Sequence, residues 1–453
     1  MTLKYIIISF FFALCNSLWA ESSVKDELFP IIINGDQLQS LLGKEISHIR
    51  VYAFQNGKAR TIPFQIDQKD ANNNWVWAVV SNSERHHMNN YDNEDPTGKN
   101  IFDHNDQLVF MAFDIGEQND HALTRINAAE MLELTVSFGN SPVPSGWIYL
   151  SYETSASTPL SDVRYMSYQK EARQIQSPVY SLTYSKQNIA TIDNMSIDGQ
   201  AIINHPRIQG TVDVNLLLFN STIHFNETEI NGYSVGYIDG PVRIIKHFVT
   251  YIDIAAGIKS RSLNIDHIFY PHHTEVPLPI SKDMFVKNMA IKIDAQYPDT
   301  ISCKKPQQDL RIISNTSEYR PKTLPINKKI PPLVSLNCPT HSMFTMLQVP
   351  DELAGQIHSS AYINNNLLAD GTVQRSDKIA GFYLATENNF PSGQFQLNII
   401  SVFSKKPELC KKQAYIARII NKDLSFTSKH ASINPLTAQQ KLPLRKLSLL
   451  SPP

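Results

Sequence analysis

Charge of either sign is scarce in this sequence. Of 453 residues, 41 are Lys or Arg and 42 are Asp or Glu, so only 18% are charged and the net charge is −1, where an ordinary globular chain carries roughly 25%. A nucleic-acid binder needs a basic excess to meet phosphate, and this chain has none. Familiar catalytic signatures are also missing. There is no GxSxG elbow, no GxxxxGK[ST] phosphate loop, no HExxH helix and no dinucleotide glycine pattern. CxxC pairs and convincing internal repeats are absent too, and helical periodicity is weak, with Asn127 to Leu134 the only candidate for a turn or two of helix. What the chain does have is 42% apolar residues, too many for wholesale disorder and enough to build cores. Its length suggests two or three domains, at about 100–200 residues each.

The N-terminus supplies the first positive signal. Lys4 precedes an apolar run from Tyr5 to Leu14, broken only by Ser9, and the small residue Ala20 stands before Glu21. A charged start, a short apolar core and a small final residue match a secretory signal peptide over 1–20, cleaved after Ala20. Ten or so apolar residues are too few for a hydrocarbon layer that takes about twenty. No later stretch reaches eighteen apolar residues, so the expectation is a periplasmic or secreted protein with no transmembrane span. Removal of Cys15 would leave Cys303, Cys338 and Cys410. In an oxidising compartment, three cysteines allow at most one internal bridge. The loop-entropy model gives about 4 kcal/mol for closing either adjacent pair, so the pairing stays open.

The rest of the chain has strand character almost throughout. Asn-Gly or Asp-Gly pairs stand at Asn34-Gly35, Asn56-Gly57, Asp198-Gly199, Asn231-Gly232, Asp239-Gly240 and Asp370-Gly371, and such pairs suit tight turns between twisted antiparallel strands. Val212, Val214, Leu216 and Leu218 alternate with other residues, the period-two pattern of a half-buried strand. The expected fold class is all-β, packed antiparallel β-sandwich domains with few short helices. Composition divides the chain into an N-terminal β domain (21–150), a central β-sandwich (151–300), a Pro- and Lys-rich linker (301–332), a C-terminal β domain (333–426) and a basic, poorly ordered tail (427–453). Charge is uneven locally. Residues 84–120 hold nine acids against two bases, a balance of −7, and residues 404–453 hold ten bases against two acids, a balance of +8.

Candidate ligand residues concentrate in the acidic part. Asp67 and Asp70 follow one strand pattern, and Asp103, Asn105 and Asp106 precede another. Hard cations take six to eight oxygen ligands, which makes Ca2+ the candidate ion, although the EF-hand glycine and closing Glu are missing. Asp and Asn also crowd turns simply because their side chains bond nearby backbone. His267, His272, His273 and Glu275 lie within nine residues, with His267 and His272 the candidate imidazole ligands. Adjacent histidines on a strand face opposite sides. Trp75, Trp77 and Trp147 offer flat faces to sugars, or equally to a core.

The segments IPFQIDQKD and DHNDQLVFMAFDIGE resemble an uncharacterised family of exported bacterial β-rich proteins, as do DGPVRIIKHFVTYIDIAAGIKS and DHIFYP downstream. Together they cover roughly residues 60–275. The resemblance implies export and β structure and brings no catalytic residue. The turn from Gly240 to Arg243 is also faintly similar to large β-sandwiches that handle carbohydrate. Two functions fit these features. The first is a non-catalytic exported β-sandwich of the bacterial cell envelope, binding a ligand, an ion, a carbohydrate or an envelope protein. The alternative is a carbohydrate-active enzyme of lyase, hydrolase or epimerase type, whose acids a single sequence does not locate.

Overall fold

In a computed structural model the described residues are 28–77, 100–126, 130–138, 146–153, 158–188, 190–216, 219–255, 258–282, 286–297, 309–313, 331–338, 340–353, 355–367, 373–387, 390–405, 424–432 and 445–447. The expected signal peptide, Cys303, Cys410, and the acids Asp92, Glu94 and Asp95 lie outside them. Cys338 is buried and disulfide-bonded. No helix among the described residues is long and apolar enough to cross a membrane.

The architecture is all-β, as the alternation implied: the described residues form four antiparallel sheets, none closed into a barrel. Two of them build an N-terminal unit. Strands Pro30–Asn34, Gln107–Met111 and Phe64–Asp67 form a small sheet with Gln107–Met111 at its centre. A six-stranded sheet runs, in order, Arg445–Leu447, Leu424–Ser432, Glu130–Phe138, Gly146–Tyr152, Ile49–Gln55 and Lys58–Thr61. Ile31, Ile33, Leu108 and Phe110 of the first pack on Val51, Leu134, Ile148 and Leu150 of the second in a closed core. Two nine-stranded sheets make the larger sandwich. One is centred on Gln200–Leu216, Val286–Tyr297 and Val373–Thr386; the other runs through Ile244–Ala255, Leu263–Phe269, His273–Lys282, Gly393–Ser404 and Ser342–Gln348. Both therefore draw strands from before and after the Pro-rich stretch 301–332, and Asp309–Ile313 within that stretch pairs with Leu333–Asn337. Met195, Ile203, Met289 and Ala380 of one sheet share a core with Phe248, Phe269, Leu397 and Phe403 of the other.

The glycine pairs divide by what their neighbours need. Asn56-Gly57 and Asp198-Gly199 are two-residue hairpin turns with positive φ at both positions, 52° and 69°, then 49° and 75°, the geometry that favours these residues. Asn231-Gly232 instead lies inside strand Ile230–Asp239. At Asp239-Gly240 the glycine is there for close approach, since a Cβ on Gly240 would overlap the Gln65 amide. Asp370-Gly371 lies outside the described residues. The helical turn expected over Asn127 to Leu134 falls elsewhere: Ala122–Ile126 is the short helix, and Glu130–Phe138 is a strand between two partners.

Candidate functional site

The four sequence segments that carry the resemblance meet where the N-terminal unit docks on the sandwich. Arg243, in the turn entering strand Ile244–Ala255, is wholly buried, and its Nε donates to Asp67 Oδ2 at 2.6 Å. Its other nitrogens donate to Tyr270 Oη at 3.2 Å and Gln107 Oε1 at 2.8 Å. Gln65 Oε1 accepts the backbone N–H groups of Val242 and Arg243, while its Nε2 donates to both Asp67 oxygens. Every strong group in this cluster is satisfied by another member. It is a fastener between layers.

The remaining acidic candidates are spent on backbone. Asp70 Oδ1 accepts the N–H groups of Asn72 and Asn74, both at 2.8 Å. Fully buried Asp106 accepts Lys69 N–H and Asp103 N–H, each at 3.0 Å. Asp103 Oδ1 accepts Asn105 N–H, and Asn105 Nδ2 donates to the Asp70 carbonyl. Asn105 Oδ1 is buried without a partner. Among the described residues no group of three or more His, Cys, Asp or Glu is arranged to hold a metal ion. The structure thus brings Asp70, Asp103, Asn105 and Asp106 together as a braced pair of loops, with Asp67 turned to Arg243.

The aromatics serve packing. Trp75 Nε1 donates to Asp266 Oδ2 at 3.1 Å, and Trp77 lies against His247 with ring centroids 5.2 Å apart and planes tilted by 32°; the Nδ1 of His247 lies 2.5 Å from Asp266 Oδ1. Trp147 packs beside Tyr149 and Phe54 in the N-terminal unit. His272 meets Phe113 edge-on with its ring centroid 5.8 Å away, and burial lowers its pKa to about 4.

His267 lies elsewhere, in the wall of the feature that the sequence did not disclose. Between the two nine-stranded sheets runs a cavity of about 480 Å³, within the usual range for ligand pockets of roughly 300–1,000 Å³. Its walls are aliphatic: Ile208, Val212, Ile223 and Val286 on one sheet, Ile265, Val276, Leu278 and Ile399 on the other. At one end stand exposed Arg261 and half-buried Glu227 and Ser260; at the other, buried His267, Thr274, Ser401 and Thr345. From Arg261 to His267 is six residues of mostly extended chain, roughly 20 Å at about 3.3 Å per residue. The buried end carries its own polar fittings. Tyr184 Oη and His267 Nδ1 are hydrogen-bonded at 3.0 Å, and burial, then the charge of Lys246, lowers the His267 pKa to about 3, so the ring is neutral. Thr345 and Ser401 share a hydroxyl–hydroxyl bond of 2.9 Å.

The outer face of the sheet centred on Gln200–Leu216, Val286–Tyr297 and Val373–Thr386 holds a second concavity, a shallow polar dish of about 240 Å³. Its floor is Ala290 and Ala385, and Asp213, Tyr383, Thr386 and Glu387 surround it.

The cavity could not be read from letters because it depends on sheet separation. One weak signal existed: Lys246 and His267 interrupt apolar strand runs, and both prove to be buried on the inner face, paired in register. Arg243 carried a similar signal, a cation at the start of RIIKHFV.

No family model matches this chain, and no curated protein matches it. Among solved structures it is similar to a glycosyl hydrolase family 38 protein from Enterococcus faecalis, at 9% identity and a TM-score of 0.41 over 89% of this chain and 46% of that one. It is also similar to a heparan sulfate lyase from Pedobacter heparinus, at 8% identity and a TM-score of 0.30 over 61% and 40%. A beta-arabinopyranosidase follows, at 8% identity and a TM-score of 0.25 over 53% and 40%. The chain spans less than half the length of each. The similarity is a weak one, of fold, to carbohydrate-active β-sandwich proteins.

Proposed function

We propose that this protein is an exported β-sandwich carrier that holds an aliphatic chain between its two large sheets. The observation that carries this reading is the aliphatic cavity with one exposed and one buried end. Its length of roughly 20 Å accommodates an acyl tail of one bilayer leaflet, about half of a roughly 30 Å hydrocarbon core. Burial of each methylene contributes about 0.8 kcal/mol. The lining offers a sugar ring few of the converging polar groups that sugar hydroxyls need. Export is supported by Lys4, the apolar run and Ala20.

The test is chain-length dependence. Ala380, almost fully buried in the wall, lies beneath the passage, and Ala380→Phe fills part of it. Fluorescent-probe displacement is expected to show wild type binding longer aliphatic chains more tightly, with the variant losing this gain beyond a shorter length. Affinity independent of chain length in wild type would defeat the proposal.

A second reading, sugar binding, is favoured by one observation. The polar dish sets two carboxyl side chains, Asp213 and Glu387, beside an aromatic face, Tyr383.

A further inference from the structure

The buried end of the cavity holds a group whose bonding is incomplete. Thr274 is 1% exposed, lines the cavity, and its Oγ1 has no hydrogen-bond partner. Burying a hydroxyl unpaired costs free energy. Valine has the same shape without that cost, and apolar neighbours dominate the wall. Thr274 sits directly opposite Ser401, and Ser401 directly opposite Thr345, so three hydroxyls form a row across neighbouring strands. The bond between Ser401 and Thr345 leaves Thr274 at the open end of that row.

The charge around this row is as informative. The cationic lining residue, Arg261, is at the far, exposed end. Lys246 is the cross-strand neighbour of His267, yet its Nζ donates to Tyr168 Oη at 2.8 Å and lies over the Tyr168 and Tyr184 rings. His267 is held neutral. The nearest cation, Lys246, is thus turned to a tyrosine hydroxyl and aromatic rings, so an ionised carboxylate at this end would be buried without a direct ion-pair partner, which is unfavourable, whereas a hydroxyl or ester carbonyl would complete the row.

Resting on the aliphatic-chain reading above, we propose that the ligand enters with an uncharged, hydrogen-bonding end first and seats that end on Thr274, so the protein selects long-chain alcohols or esters over fatty-acid anions and plain alkanes. The experiment compares dodecanol, dodecane and dodecanoate by probe displacement on the full chain, in wild type, Thr274→Val and Thr274→Ser. One hydrogen bond of about 1.4 kcal/mol corresponds to about tenfold in affinity. Wild type should therefore prefer dodecanol to dodecane by about tenfold. Thr274→Val should abolish that preference while leaving dodecane affinity unchanged, and Thr274→Ser should retain it. Equal affinities for dodecanol and dodecane in wild type, or a preference that survives Thr274→Val, would overturn the inference and leave the aliphatic reading standing. Tightest binding of dodecanoate, lost in Arg261→Gln, would overturn it in favour of a head group at the exposed end. Failure of all three probes to bind would reject the aliphatic reading itself.

Discussion

Removing the charge of Asp67 tests the fastener between the N-terminal unit and the sandwich. The Arg243 and Asp67 side chains are 1% and 2% exposed and 2.6 Å apart. At an effective dielectric of about 20 the gross attraction is about 332/(20 × 2.6), or about 6 kcal/mol. Desolvation of both ions offsets much of that, so the pair adds little net stability over an apolar substitute. The single variant is different, because Asp67→Asn strands a guanidinium that cannot lose its proton. Breaking a buried pair in this way costs about 3–5 kcal/mol. Guanidinium unfolding, followed by tryptophan fluorescence, should show that loss for Asp67→Asn and a comparable one for Arg243→Met. The double variant should lose much less than their sum, with a coupling energy of about 2–3 kcal/mol. Trp75 is a suitable reporter, since Arg243 lies 5.2 Å from its ring centroid. Single losses that add to within about 0.5 kcal/mol would show that the two side chains do not depend on each other, and the fastener argument would fall.

Acid should weaken the fold through its buried histidines. His267 and His272 are lowered by burial to about 3 and about 4, from 6.5. The unfolded chain then takes up protons first, so stability is complete above about pH 6.5 and declines toward pH 4. For His272 the loss is about 3 kcal/mol, at about 1.4 kcal/mol for each pH unit, and His272→Phe should flatten a urea-stability profile over that range. Asp114 acts in the opposite sense. Burial raises its pKa to about 6 against the lowering effects of Tyr165 and Arg60, so its contribution grows as pH falls from 6 toward 3.8, and Asp114→Asn should steepen the acid loss; profiles unchanged in both variants would remove this account. The polar dish predicts saturation transfer from the protein to a bound monosaccharide in magnetic-resonance measurements, abolished by Tyr383→Ala. Absence of transfer from any sugar in wild type would dismiss the second reading.

Local chemistry was legible where it acted locally. Alternation along Gln200–Leu216 and the turns at Asn56-Gly57 and Asp198-Gly199 follow from backbone preferences that neighbours do not override. Asn231-Gly232 misled because Gly232 meets a different need, lying against Ala190 and Thr250 within a strand. The acidic loops held the right atoms for a cation, but Asp70 and Asp106 direct theirs at nearby N–H groups, a choice that depends on loop conformation. The partners of Arg243 come from positions 65, 67, 107 and 270, and no spacing rule connects them. The cavity was the least legible feature of all, since a lined space and a filled core use the same aliphatic alphabet.

The strand Leu424–Ser432 pairs along its full length with Glu130–Phe138, nearly three hundred positions earlier. A polypeptide that emerges N-terminus first must therefore hold an unmatched ribbon edge until residues 424–432 arrive. Such distant closure slows folding, and an open edge invites adhesion to other chains. Synthesis stopped before residue 424 would leave Glu130–Phe138 with one edge unpaired, a border open to other chains.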